Sequence, residues 1–327
     1  MRVAGRACGL TPRKVYQQRG RSQDRRCAPP YIRLRPAPLG SRAVTSLYVL
    51  GRGLVDPTQP VFRADDLGIL RGDGLFETLR VQGGRAVLLA AHLERMDRGA
   101  DRIGLVVPTH DEWAAAVRAA VTAYGQSDGL LKLLCTRGPE GEAPVAYAMV
   151  SPIPASTVRG REDGVHAVTL TLGVTSGAKA AAPWLLGGVK TTSYAVNMAS
   201  LREAQSRGFD DAVWIGADGA VLEAPTANVA WVRDGVVTTP PAEEVGALRG
   251  TTLDALVEAA RLDGVTVEVR AGHVDELRAA DEVLLTSSVR GVAPVLSLDG
   301  VAVGTGAVGP VTSALRAAYE QICATES

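Results

Sequence analysis

Lys190 sits in Gly187-Gly188-Val189-Lys190-Thr191-Thr192-Ser193-Tyr194, ahead of a helical pattern, in a chain that writes its basic residues almost entirely as arginine. Of 35 basic residues, only Lys14, Lys132, Lys179 and Lys190 are lysines. A lysine can lose its proton and form an imine with an aldehyde, which an arginine cannot. A surface lysine is the plain alternative, so the company it keeps decides. Glu223 lies in a strand between apolar Val221, Leu222 and Ala224, and Leu248-Arg249-Gly250-Thr251-Thr252-Leu253 opens a helix near 251–263. Glycine and two threonines at a helix start offer free N–H groups and hydroxyls, which suit a phosphate. Taken singly, Glu223 reads as a solvent-facing strand residue and either threonine as a simple cap. Taken together, the three features meet the needs of pyridoxal phosphate: an amine for its aldehyde, an anion for its ring nitrogen and a cradle for its phosphate.

The elements that must position these residues form two groups. At 327 residues and 46% hydrophobic, the chain can bury one large core or two medium ones. Leu47–Leu50 and Gly74–Val81 read as strands, the second turning at Gln82-Gly83-Gly84-Arg85 into a return strand over Ala86–Leu89. Leu93, Met96, Ala100 and Ile103 fall at helical spacing, as do Trp113, Val117, Val121 and Tyr124, and strands follow near 129–136 and 145–151. The second group opens with a strand near 165–174 and continues, after Lys190, with a helix carrying Met198, Leu201 and Ala204 that stops at Gly208. A β meander is expected next, over 212–232, with turns at Asp218-Gly219 and Asp234-Gly235. The division is a leader over 1–45, a small α/β domain over 46–152, a linker over 153–164 and a larger, mainly antiparallel domain with helices over 165–327. The overall class is α/β (α+β), and a doubly wound parallel sheet is not expected.

Charge and cysteine use exclude several classes. Net charge is zero, but residues 1–43 carry ten arginines and one lysine against Asp24. This leader has no apolar run and no interleaved aromatics, so it reads as a disordered tail, and the body lacks the basic field that nucleic-acid binding needs. No segment is long and apolar enough to span a membrane. Cys8, Cys27, Cys135 and Cys323 form no C-x-x-C pair and the four histidines no metal spacing. A cytoplasmic protein without disulfides or metal is expected, acting on a small molecule.

The run KTTSYAVNMASLREAQSRGFDDAVWIGADGAVLEAPTANVAW, from Lys190 to Trp231, resembles the core of the fold-type IV pyridoxal-phosphate enzymes. That family includes branched-chain aminotransferases, D-amino acid aminotransferases and aminodeoxychorismate lyases. DDLGILRGDGLFETLRV and AAHLERMDRGADRIGL resemble its first domain, and TTPP, LRGTTLDAL and AADEVLLTSSVRGVAPV its later landmarks, in the same order. The resemblance implies that Lys190 holds the cofactor as a Schiff base and then acts as acid and base, while Glu223 keeps the ring nitrogen protonated. It assigns the phosphate to Arg95, Thr251, Thr252, Ser287 and Ser288, and has Asn228 brace the loop beyond Glu223. It also implies a homodimer that completes each pocket.

RGDGLFETLRV is more similar to the pattern of aminodeoxychorismate lyases than to the FEG of branched-chain aminotransferases, because Thr78 takes the glycine position. The resemblance therefore implies conversion of 4-amino-4-deoxychorismate to 4-aminobenzoate and pyruvate, a step of folate biosynthesis. The alternative is a class IV aminotransferase acting on branched-chain or D-amino acids with 2-oxoglutarate. A dianionic substrate would gain from arginines near its carboxylates, with Arg71, Arg80 and Arg137 as candidates. The loop after Thr136-Arg137-Gly138 lacks the Gly-Arg-Gly-Tyr common in lyases, and Tyr194 is one position away from the aminotransferase tyrosine, so neither role is carried over.

Overall fold

The computed structural model describes residues 45–325; the arginine-rich leader, apart from Thr45, lies outside the described residues. The first sheet comprises β1 (Ser46–Val49), β2 (Gly53–Val55), β3 (Gly74–Gln82), β4 (Arg85–Ala86), β5 (Gly129–Thr136) and β6 (Val145–Ser151), in the order β2-β1-β6-β5-β3-β4. All of its pairings are antiparallel. Helix α1 (Leu67–Arg71) precedes β3, and α2 (Leu89–Ile103) and α3 (His110–Tyr124) cross between β4 and β5. The α3 helix starts where sequence chemistry says it should, in a reciprocal capping box of Thr109 and Glu112.

Two-residue periodicity gives this sheet two different faces. Along β5, Leu131, Leu133 and Cys135 are buried against Leu93, Met96 and Ala100 of α2 and Trp113, Val117 and Ala120 of α3. Burying one such side chain contributes roughly 1.5–3 kcal/mol. The intervening Leu130, Lys132 and Leu134 face a cavity instead. Register pairs Phe76 with Leu134 and Thr78 with Lys132, so β3 adds two more residues to that wall.

The segment expected as a linker contains α4 (Ala155–Glu162). The second sheet follows with β7 (Val165–Thr171), β8 (Asp211–Ile215), β9 (Asn228–Arg233), β10 (Val236–Thr239), β11 (Val267–Val269), β12 (Glu282–Ser287), β13 (Gly291–Leu298) and β14 (Val301–Ala302). Its order is β11-β10-β9-β12-β13-β7-β8, with β14 on β13. Pairings from β10 through β9, β12 and β13 to β14 are antiparallel, whereas β10/β11, β13/β7 and β7/β8 are parallel. Around it lie α5 (Ala178–Ala181), α6 (Ala195–Ser206), α7 (Ala242–Val245), α8 (Thr251–Leu262), α9 (Val274–Arg278) and α10 (Pro310–Thr325). Among the described residues no helix is long and apolar enough to cross a membrane.

Two expected elements differ. The return strand expected over 86–89 ends at Ala86; Leu88 turns left-handed (φ 54°) to start α2, and Val87 is buried against Leu284 and Leu315. An apolar run that looked like a strand is thus tertiary packing. The meander also breaks: β8 lies at the sheet edge beside β7, separated from β9 by β12, β13 and β7. The Asp218-Gly219 turn does form and Ile215 bridges Val221, but Pro225 has no N–H to extend the ladder, and Ala224 and Ala227 close a tight turn around it.

The C-terminal helix is tied to the second sheet by one carboxylate. Glu282 accepts the N–H groups of Val311 (3.0 Å) and Thr312 (2.7 Å) at the start of α10. A Cβ on Gly309 would lie 2.0 Å from the Glu282 carboxyl carbon, which explains the glycine. We expect Glu282→Ala to lower unfolding free energy by about 1–3 kcal/mol, through two unsatisfied helix donors, as a shifted midpoint in urea.

Candidate active site

A cavity of about 1460 Å³ opens between the β3/β5 wall, the loop carrying Lys190, and the ends of β9 and β12. Lys190 is fixed on its wall by backbone bonding. Gly188 (φ 75°) bends the chain, Phe76 N–H donates to Lys190 O at 3.1 Å, and Thr192 N–H donates to Gly74 O at 2.9 Å. This segment therefore runs along the edge of β3 where β4 does not reach. The Lys190 Nζ lies 4.6 Å from the Phe76 ring centroid and 5.7 Å from that of Tyr194. Among the described residues no carboxylate is within ion-pair reach of it. Burial lowers its pKa to about 8, with Glu77 pulling the other way and Arg95 adding to the fall.

Glu223 lies on the same cavity, and its carboxylate accepts the Leu248 N–H at 3.0 Å. Burial raises its pKa, against the Leu248 N–H and the charges of Lys179, Lys190 and Arg95. Asn228 donates its amide to Leu248 O at 2.6 Å, so it braces the loop that holds Glu223. A Cβ on Gly250 would lie 1.9 Å from Asn228 Oδ1, which excludes any larger residue there.

The threonine, serine and arginine candidates meet at a second corner. Gly250 caps α8 without a side chain, leaving the first N–H groups of that helix unclaimed by any cap. Thr251 Oγ1 lies 3.4 Å from Ser288 Oγ, and Thr252 Oγ1 lies 3.5 Å from it. Ser287 also lines the cavity. Tyr319 of α10 donates to Ser288 O at 2.8 Å and takes a 3.4 Å bond from Thr252, bracing both sides of the corner. Arg95 is buried rather than an exposed helix partner. It bonds Glu77 through Nε (2.8 Å) and Nη2 (2.5 Å) and Arg249 O through Nη1 (3.0 Å), leaving outer N–H groups toward the cavity.

These donors fit pyridoxal phosphate. An uncapped helix start, four hydroxyls and a guanidinium suit a phosphate dianion; a buried carboxylate suits the ring nitrogen; an amine of lowered pKa suits the aldehyde. Two buried hydroxyls on the cavity, Thr192 Oγ1 and Thr286 Oγ1, have no hydrogen-bond partner among the described residues, so a bound group could engage them.

The three substrate arginines do not gather here. Arg80 shares the β3 face of Phe76 and Thr78 but lies beyond the cavity lining, where its guanidinium bonds Glu320 at 2.8 Å and docks α10. Arg137 is committed to Asp73 (2.7 Å) and to the carbonyls of Ile103 and Gly104 (2.8 Å each), tying down the end of α2. Arg71 is exposed at the end of α1, outside the cavity lining. Each was a charge without a partner in sequence, and folding supplied partners to two of them. The cations that do line the cavity beside Lys190 are the lysines Lys132 and Lys179, together with Arg159, Arg290 and Arg95. Lys132 has no carboxylate partner among the described residues and lies 6.0 Å from the Phe76 centroid.

Sequence reasoning missed Glu77 and His92. Glu77 is 1% exposed, and its carboxylate bonds both Arg95 and His92 Nδ1 (2.7 Å). Burial acts to raise its pKa, but Arg95 and His92 outweigh that and hold it at about 2. The signal was present: a glutamate on the apolar face of a strand, and His92 and Arg95 one helical turn apart.

With its pKa near 8, Lys190 is mostly protonated at pH 7 and mostly the nucleophilic free amine at pH 9. We expect its rate of reaction with pyridoxal phosphate, followed by visible absorbance, to rise through pH 8 and level off above. A rise continuing to pH 10 would show an ordinary lysine.

Comparison with known proteins agrees with this geometry. The family model described as amino-transferase class IV matches residues 74–298. A Mycobacterium tuberculosis protein described as a bifunctional aminodeoxychorismate lyase / D-amino acid transaminase is 42% identical over 259 residues, covering 76% of this chain and 89% of its own. The PLP-bound structure of a hypothetical aminotransferase from Mycobacterium tuberculosis superposes with a TM-score of 0.82 at 38% identity, covering 86% of this chain and all of that one. A fold IV transaminase from Curtobacterium pusillum gives 0.79 at 36% identity, covering 85% and 97%. The chain belongs to the class IV aminotransferases, enzymes of the two-domain fold-type IV architecture whose cofactor is pyridoxal phosphate.

Proposed function

We propose that the chain is an aminodeoxychorismate lyase, converting 4-amino-4-deoxychorismate to 4-aminobenzoate and pyruvate for folate biosynthesis in the cytoplasm. The observation that carries this reading is the cavity wall formed by β3 and β5. There Lys132, an unpaired cation, pairs in register with Thr78, the residue that replaces the aminotransferase glycine. Phe76 and Leu134 form the apolar floor beside them, suited to a six-membered ring with a carboxylate at its far end. The bifunctional relative supports the same reaction class. Cys135 and Cys323 are free and buried, in keeping with a reducing compartment.

The cofactor, when bound, holds the substrate amine and draws electrons into its protonated ring. With the cofactor bound, Glu223 would keep that ring nitrogen protonated, and Arg95, Thr251, Thr252, Ser287 and Ser288 would hold the phosphate. Lys190 is the catalytic residue. It takes the proton from the substrate carbon bearing nitrogen, the enolpyruvyl group leaves, and the same proton returns to it as pyruvate forms. The ring is left aromatic, and no water or second substrate is consumed.

A second reading is transamination of branched-chain or D-amino acids with 2-oxoglutarate, in which Lys190 returns the proton to the cofactor side. It is favoured by the relative's second activity and by the structure of a hypothetical Mycobacterium tuberculosis aminotransferase holding alpha-ketoglutarate and PMP.

A homodimer is part of the reading. Ile69 (58% exposed), Trp184 (79%) and Val196 (58%) line the cavity while remaining open to solvent, apolar surface that a second copy would cover. Light scattering should give twice the 34.1 kDa chain mass, and a monomer at micromolar concentration would count against it. The decisive assay offers aminodeoxychorismate and, separately, branched-chain or D-amino acids with 2-oxoglutarate. 4-Aminobenzoate is expected, with Lys190→Ala inactive and Lys132→Ala raising KM by about tenfold or more, the value of one charge-assisted bond. Glutamate without 4-aminobenzoate would overturn the lyase reading.

A further inference from the structure

His92 lies wholly buried beneath the phosphate corner, and its two ring nitrogens face different partners. Nδ1 is 2.7 Å from Glu77 Oε2, while Nε2 is 3.1 Å from Thr251 Oγ1 and 3.0 Å from Ser288 Oγ. Ionised Glu77 only accepts, so Nδ1 carries a proton toward it. In a neutral ring Nε2 is then a bare lone pair and takes the proton of one of the two hydroxyls. A hydroxyl has a single proton, and one spent on His92 turns only lone pairs to the cavity, which an anion avoids. In a doubly protonated ring the direction reverses: Nε2–H donates, and both Thr251 and Ser288 are free to donate outward.

The charged groups facing the ring are Glu77 from β3, Arg95 from its own helix and Lys190 from the loop before α6, while α8 and the Ser288 turn present hydroxyls. Without a ligand, burial favours the neutral ring, opposed by Glu77 and aided by the two cations. A phosphate dianion at the hydroxyls changes that balance, adding two negative charges on the Nε2 side in a low-dielectric corner. We propose that His92 belongs to the phosphate seat, and that binding a phosphate monoester dianion there takes up a solvent proton at His92 Nε2. This rests on the placement of the phosphate at Thr251 and Ser288. The consequence is that phosphate-ester affinity weakens as pH rises, opposite in sign to the demand of Lys190 for a free amine.

The test uses the full chain freed of cofactor and pyridoxine 5′-phosphate, which has the phosphate but no aldehyde to engage Lys190. The chain has four histidines, so nitrogen-15 NMR of histidine-labelled protein can follow His92 by itself. At pH 7.5 one protonated ring nitrogen is expected without ligand and two with it. Calorimetry in buffers of different protonation enthalpy should show the wild type taking up about one proton more than His92→Gln. A ring that stays singly protonated while the ester binds, with Thr251→Ala/Ser288→Ala weakening that binding, overturns the proposal and leaves the phosphate seat standing. Unweakened binding to that double variant removes the seat and the proposal together.

Discussion

The buried carboxylate of Glu77 organises the site. Moving a carboxylate and a guanidinium out of water costs several kcal/mol per ion, and the cost is met only when each lone pair and N–H finds a partner. Here Glu77 accepts from Arg95 twice and from His92 once, and each of those partners reaches on to a different element. Arg95 extends to the carbonyl of Arg249 just before α8; His92 extends to Thr251 at its start and to Ser288 after β12. One strand residue of the first sheet thereby sets the positions of groups carried by the second. The same arrangement does not deepen the fall in the Lys190 pKa: burial supplies that fall, and the Glu77 charge, which opposes it, outweighs the Arg95 charge, which adds to it.

Around that node the two sheets divide the labour. The first offers its cavity face, with Phe76, Thr78, Lys132 and Leu134, while its other face is closed by α2 and α3. The second supplies Glu223, the α8 start and the Ser288 turn. Its C-terminal helix, held by Glu282 and by the Arg80 to Glu320 ion pair, brings Tyr319 under Ser288 and Thr252. The corner that would hold the phosphate is thus braced from the first sheet through His92 and from the chain end through Tyr319. Rigid support of this kind is what an orienting site requires.

How much of this was legible in the sequence varies with the range of the signal. The bodies of α2 and α3 follow from apolar periodicity, α8 from its Gly-Thr-Thr start, and strands β5 and β6 from their apolar runs, because those cues are local. Lys190, Glu223 and the Thr251-Thr252 pair were legible from residue type beside unusual neighbours, and the structure brings all of them to one cavity. What sequence did not reveal is pairing. Arg80 and Arg137 looked like free charges because Glu320 lies 240 positions from the first and Asp73 lies 64 from the second. Lys132 was passed over for the opposite reason, that nothing near it in sequence marks the face of β5 on which it stands. The broken meander has the same cause: the Asp218-Gly219 turn is a local signal and forms, but which strand β9 joins is decided by burial of Val229 and Trp231 against Val283 and Leu285.

The central claim is that Lys190, among the lysines on this cavity, is the attachment point of the cofactor. Borohydride reduction of the cofactor-loaded protein, followed by proteolysis and mass spectrometry, reads this directly. The account predicts the phosphopyridoxyl group on the peptide containing Lys190 and on no other. Stoichiometric label on Lys132 or Lys179, with Lys190 unmodified, would contradict it.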